Sequence, residues 1–159
     1  MESMRRIFLA AMLCAFATSN AIAEKKDEGR MGAWKLNVEK SKYSPGPAPK
    51  SLMLMFEPAG KGVHLTTEQI NADGSKTATE YTASYDGKDV PLKGVAIANT
   101  TSLKRVNSTT VMRTDKKAGK VVSTLKSVLS KDGKTYTVDV KSVTSKGEPV
   151  KNFLVFERP

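Results

Sequence analysis

Apolar and polar residues alternate along most of the chain beyond Gly32. In Thr79–Tyr85 (TEYTASY), Thr79, Tyr81, Ala83 and Tyr85 share one face against Glu80, Thr82 and Ser84. In Thr135–Val140 (TYTVDV), Tyr136, Val138 and Val140 oppose Thr135, Thr137 and Asp139; likewise Trp34, Leu36 and Val38 oppose Ala33, Lys35 and Asn37. Leu52, Leu54 and Phe56 share a face in SLMLMF, where Met53 and Met55 make the other face apolar too. Period two with one apolar face predicts half-buried β-strands. Turn signals separate them at Pro58–Gly62, Asn71–Gly74, Asp86-Gly87, Lys117–Gly119, Asp132-Gly133 and Ser145–Gly147, several of the glycines lying 12 to 14 residues apart. That spacing leaves room for strands of about seven to nine residues, and Asp-Gly is a strong hairpin signal. The exception is Glu39–Ser51, whose Pro45–Pro49 core fits neither a helix nor a sheet interior. About ten strands in hairpin order, with no helix, predict an antiparallel sheet, and closing it on itself removes both edges. The expected fold is all-β, an up-and-down antiparallel β-barrel or flattened clam of about 8–10 strands.

The first residues follow a different pattern. Arg5 and Arg6 precede Ile7–Ala17, an apolar run of 11 residues, and Ala21-Ile22-Ala23 then leads into the polar EKKDEGR. This is the layout of a Sec signal peptide. A membrane-spanning helix needs about 20 apolar residues, so the run is too short. Cys14 lies inside the run behind the bulky Leu13, which argues against lipidation. Cleavage is expected after Ala23, giving residues 1–23 as signal, 24–31 as a disordered segment and 32–159 as the barrel domain. The mature chain then carries no cysteine and no transmembrane segment, and must be stabilised by its core alone. The expected location is the periplasm or the exterior, and the expected state a monomer.

Charge adds a second asymmetry. Losing Arg5, Arg6 and Glu2 takes 26 basic and 16 acidic residues to 24 and 15, a net +9. Residues 24–91 hold 10 basic and 10 acidic residues, so residues 92–159, with 14 and 5, carry the whole excess. A basic half suggests an anionic envelope component as partner, while lysines on strand exteriors also protect against edge aggregation. Nucleic acid is not expected, because only Tyr136 is aromatic between Lys93 and Lys151 and stacking platforms are missing.

The segments GAWKLNVEKSKYSPGPAPKS, YDGKDVPLKG, KRVN, GKVV, SKDGKTYTV and the terminal VFERP carry a resemblance. Together they resemble small exported bacterial lipocalin-like proteins of the lipocalin and fatty-acid-binding protein superfamily, over nearly all of residues 31–159. The resemblance implies a lipocalin-like barrel in which the first-strand Trp34, after Gly32, closes one end and a C-terminal arginine, here Arg158, lies across its ring. A guanidinium over an indole contributes about 0.5–2 kcal/mol. By the same resemblance Trp34 is structural and not a ligand contact. Two features depart from the fatty-acid-binding pattern. The interval where those proteins place two lid helices is the proline-rich Glu39–Ser51. Leu154 and Phe156 stand where the carboxylate clamp would be, and two apolar groups cannot neutralise a carboxylate.

Reactive groups are few. His64, the single histidine, alternates with Val63 and Leu65 and is expected to face outward. With no mature cysteine it cannot build a Cys/His dyad or an N/S zinc site. No Gly-x-Ser-x-Gly elbow, Walker A loop or Asp-x-Asp-x-Asp calcium pattern occurs. Asp73, Asp86 and Asp132 each precede a glycine at a turn and read as turn residues. No catalytic residue, metal or cofactor is expected, and the chain reads as a non-enzyme.

The barrel interior remains. Inward candidates include Trp34, Leu36, Leu52, Leu54, Phe56, Val63, Leu65, Tyr81, Tyr85, Leu103, Leu125, Tyr136, Val138, Leu154 and Phe156, with Thr67 among them. Alternation also offers Arg105 and Arg113. Facing in, either would require an anionic ligand group or an internal carboxylate. A one-residue shift would put both outside, and the competition of Lys104 and Val106 for the face favours that exterior placement. The ligand residues expected are Leu54, Phe56, Tyr81, Tyr85, Arg105, Arg113, Tyr136, Leu154 and Phe156. They would bind a small hydrophobic or amphipathic molecule. The alternative is a filled barrel acting through its basic outer face on anionic lipids, glycans or a protein partner. Interior volume separates the two.

Overall fold

The computed structural model describes residues 29–159; the expected leader and its cleavage site lie outside the described residues. Eleven strands form one antiparallel sheet: β1 (Gly32–Leu36), β2 (Lys42–Ser44), β3 (Ser51–Ala59), β4 (Gly62–Ile70), β5 (Lys76–Ala83), β6 (Val90–Pro91), β7 (Thr100–Arg105), β8 (Thr110–Lys117), β9 (Lys120–Leu129), β10 (Thr135–Val143) and β11 (Pro149–Glu157). Their spatial order is β5-β4-β3-β1-β11-β10-β9-β8-β7-β6. From β3 to β5 and from β6 to β11 neighbours in sequence are neighbours in space, β2 lies on β11, and β1 joins the two ends of the chain by pairing with both β3 and β11. The fold is the expected up-and-down barrel.

The strand count exceeds the expected 8–10 for two local reasons. The first strand is broken: β1 and β2 lie on the same partner, with Lys35 opposite Glu157 and Lys42 opposite Phe153. Between them the ladder is carried by other bonds. Asn37 N donates to Val155 O at 2.8 Å, and Val155 N donates to the Ser41 hydroxyl at 3.0 Å. A side chain thus replaces a missing backbone acceptor. The other addition is β6, only two residues long and ending in Pro91, which lacks a donor and so suits an edge.

Between β5 and β6 the barrel is shut by one narrow bridge. Lys93 N donates to Glu80 O at 3.0 Å, and Glu80 N donates to Lys93 O at 3.2 Å. Asp86-Gly87 is not the hairpin its sequence suggests. Asp86 bridges to Lys104 and Gly87 N donates to Leu103 O at 2.8 Å, so this segment crosses the seam. Tight turns do form at Gly60-Lys61, Ala118-Gly119 and Asp132-Gly133. Asp73, Asp86 and Asp132 each accept a hydrogen bond from the backbone N–H two residues on.

Inward positions supply one continuous core running from Trp34, Leu36 and Phe56 through Leu65, Tyr81 and Leu103 to Val138, Leu154 and Phe156. Each such side chain contributes about 1.5–3 kcal/mol when fully buried. His64 lies outside, its Nδ1 2.7 Å from the Thr82 hydroxyl on the neighbouring strand.

Candidate ligand cavity

One end of the barrel is plugged. Trp34 is completely buried and meets Tyr136, ring centroids 5.5 Å apart. Tyr136 in turn packs against Phe56 and Phe156. The Arg158 guanidinium lies 3.8 Å from the centre of the indole ring. It donates to the carbonyls of Met31 and Gly29 at 2.8 Å and of Ala33 at 3.1 Å. Gly32 makes room for it: its φ is +90°, and a Cβ there would sit 3.3 Å from Arg158 Nη1. Gly32, Trp34 and Arg158 therefore meet at this end, and none of the three lines the interior space.

Above the plug is a cavity of about 190 Å³. Its wall is mostly aliphatic and aromatic: Leu52, Leu54, Phe56, Val63, Leu65, Leu103, Val111, Leu125, Val138, Leu154 and Phe156, with Tyr81, Tyr85 and Tyr136. Thr67, Gln69, Thr79 and Ser127 add polar groups, and Arg30 and Arg113 add charge. The volume exceeds the ~150 Å³ of a hydrocarbon cavity that takes benzene and falls below the ~300 Å³ of drug-sized sites. The barrel is not packed solid.

Eight of the nine expected ligand residues line this space: Leu54, Phe56, Tyr81, Tyr85, Arg113, Tyr136, Leu154 and Phe156. Arg105 does not; its guanidinium stacks over the Tyr85 ring at 4.1 Å.

The exterior placement favoured for Arg113 is overturned. Register puts Arg113 opposite Leu103 on β7 and Leu125 on β9, on the inward face. Its charge is matched there by Asp115, two residues further along the same face. Nε donates to Oδ1 at 2.7 Å and Nη2 to Oδ2 at 2.9 Å, a bidentate pair. Thr101 Oγ1 donates to the same carboxylate at 2.7 Å. The guanidinium also lies 4.9 Å from the Tyr81 ring centre. Burial works to lower the pKa of Arg113, but the Tyr81 phenol and the Asp115 carboxylate outweigh it, so the net direction is upward. Burial raises the Tyr81 phenol well above its ordinary value.

Residues 29–31, expected to belong to a disordered segment, are held in place. Trp34 Nε1 donates to Arg30 O at 2.8 Å, and the Arg30 side chain turns into the barrel with only 3% of the residue exposed. Its Nη1 donates to the Ser127 hydroxyl at 3.3 Å, its Nη2 to Thr109 O at 3.1 Å, and its guanidinium lies 5.3 Å from the Tyr136 ring centre. Nothing in the local pattern marks Arg30, because it precedes the first strand. Asp115 was within reach of alternation, which puts it on the face of Arg113. Among the described residues no group of three or more His, Cys, Asp or Glu is placed to hold a metal.

Comparison with known proteins identifies the fold alone. The chain is similar to the crystal structure of the zebrafish ileal bile acid-binding protein complexed with cholic acid. The TM-score is 0.51 at 8% identity, covering 83% of this chain and 100% of that one. No protein-family profile matches the chain, and no curated protein does. The architecture is thus the barrel of the lipocalin and fatty-acid-binding type, and the matched barrel is a binding protein.

Proposed function

We propose that the chain is an exported, non-enzymatic protein that holds a small hydrophobic or amphipathic molecule inside its barrel, acting as a monomer in the periplasm or outside the cell. One observation carries this reading: a closed barrel keeps a mostly apolar cavity of about 190 Å³ where an ordinary core would be filled. Burying apolar ligand surface there is worth about 25 cal/mol per Å², and the phenols of Tyr81 and Tyr136 offer hydroxyls to orient a polar end. The bile acid-binding protein, a barrel of the same kind, is solved in complex with cholic acid.

Native mass spectrometry of the protein purified from its own host tests this, repeated after mild organic extraction. A retained mass that disappears on extraction is the expected result. A bare mass in both, with no uptake of a neutral probe such as N-phenyl-1-naphthylamine, would sink it.

A second reading rests on the outer face. Lys141 stands directly opposite Lys151 across β10 and β11, a pairing that costs a sheet stability. Lys42 and Lys126 line the same open groove, with Asp139 the acidic member. Phe153, 37% exposed, lies among them opposite Lys42. A basic groove with an exposed aromatic ring suits an anionic lipid surface. Binding to phosphatidylglycerol vesicles that weakens steeply with salt, and is lost in a Lys141→Glu/Lys151→Glu double variant, is the outcome this reading requires.

A further inference from the structure

Among the described residues, the two arginines on the cavity wall are not equally matched by counter-charge. Asp115 is wholly engaged by Arg113 and Thr101. Arg30 shares the cavity wall, yet its hydrogen bonds go only to neutral oxygens, the Ser127 hydroxyl and the Thr109 carbonyl. Ser127 is itself committed, its hydroxyl donating to Val111 O at 3.1 Å. Register separates the two centres. Ser127 lies opposite Val111, whereas Asp115 lies opposite Ser123, four residues further along β8. At ~3.3 Å per residue that is about 13 Å, too far for Asp115 to serve Arg30. Among the described residues no carboxylate pairs with Arg30.

A buried charge of this kind is normally relieved by losing its proton, but a guanidinium cannot do so at any pH a protein survives. Contact with the Tyr136 ring and two neutral acceptors compensates only part of the lost hydration. The two bonds use one N–H on each terminal nitrogen of a group that carries five. The remaining donors belong to a planar fork whose natural complement is an oxyanion.

Resting on the cavity-binding reading, we infer that the ligand is an amphipathic organic anion whose carboxylate, sulfonate or phosphate end sits at Arg30, beside the plugged end of the barrel. Its apolar body then runs along Leu54, Leu65, Leu125 and Val138 toward the polar groups at Thr67 and Gln69. The head group enters first and the tail lies nearer the far end. Arg113 contributes little selectivity, since Asp115 already neutralises it.

Octane-1-sulfonate and 1-octanol test this, as they share one chain and differ in the permanent charge. Isothermal titration of the unmodified protein should give at least tenfold tighter binding of the sulfonate. Arg30→Met should lose at least tenfold for the sulfonate and less than threefold for the alcohol, and Arg30→Lys should retain part of the preference. Equal affinities in the unmodified protein would overturn the inference even if Arg30→Met fails to fold. Equal losses for both compounds would overturn it too, making Arg30 a strut for the N-terminal segment. If the unmodified protein binds the alcohol but not the sulfonate, the anion assignment fails while cavity binding stands. If it binds neither, cavity binding itself fails.

Discussion

Side by side, Arg158 and Arg113 show two ways of keeping an arginine against a barrel. Arg158 stays at the surface and spends its donors on three carbonyls left open where the chain enters β1, with its flat face on Trp34. Arg113 is inside and needs a full counter-charge, which Asp115 supplies in bidentate geometry. The two should respond differently to mutation. Asp115→Ala strands a buried guanidinium and is expected to cost about 3–5 kcal/mol, read from the urea midpoint. Replacing Arg113 and Asp115 together by Met and Leu should recover most of that loss, because an apolar pair needs no counter-charge. Trp34→Ala should also cost about 3–5 kcal/mol, through the cavity it leaves. Its effect on affinity should be small, measured on whatever fraction folds, since Trp34 does not line the ligand space.

At the scale of elements, the seam between β5 and β6 is the barrel's weakest join. It depends on Gly94, whose φ is +80° and whose missing Cβ would run into the Ala78 carbonyl and the Thr79 backbone. Gly94→Ala should therefore lower stability by more than about 1 kcal/mol. Hydrogen exchange should place the damage: the Glu80 and Lys93 amides, which bond each other's carbonyls across the seam, should lose protection while those of β10 and β11 keep theirs. This join was not legible in the sequence, where Asp86-Gly87 reads as one more hairpin. Nothing local says that the chain there crosses to β7 and does not turn back on β5. The ladder-forming strands were legible because alternation is a local signal. Tyr81 with Ala83, Leu52 with Phe56 and Tyr136 with Val138 all point where period two puts them. Arg113 was ambiguous because Lys104 and Val106 compete with Arg105 for the inward face, and its own face is fixed by cross-strand register with Leu103 and Leu125, which no local pattern supplies. Arg30 was invisible for a further reason: its role depends on Ser127 and Thr109, both far along the chain from it. In numbers, the separations are 97 and 79 positions, beyond any window of pattern reading.

For the whole molecule, closing the barrel takes phenols as well as aliphatic groups out of water, and this gives the folded state a pH limit. Tyr43 on β2 has a buried hydroxyl with no hydrogen-bond partner, and burial pushes its pKa up to about 12. Tyr81 is shifted in the same direction by burial. In the unfolded chain both titrate near their ordinary value of about 10. Between about pH 10 and 12 the unfolded chain therefore releases protons that the barrel keeps, and linkage requires stability to fall as pH rises through that window. Below pH 10 both states are protonated and the contribution is complete. Lysine titration acts the other way over the same range, because loss of positive charge relaxes self-repulsion in a chain this basic. The two effects separate by subtraction. In Tyr43→Phe the lysines are unchanged, so the difference between its urea midpoint and that of the unmodified protein isolates the phenol. That difference should be near zero or slightly in favour of Tyr43→Phe at pH 7, since the substitution removes an unsatisfied buried hydroxyl. It should then widen steadily in favour of Tyr43→Phe from pH 10 to 11.5. Parallel alkaline limbs for the two proteins would mean that the Tyr43 hydroxyl is in contact with water and that the barrel is open beside β2.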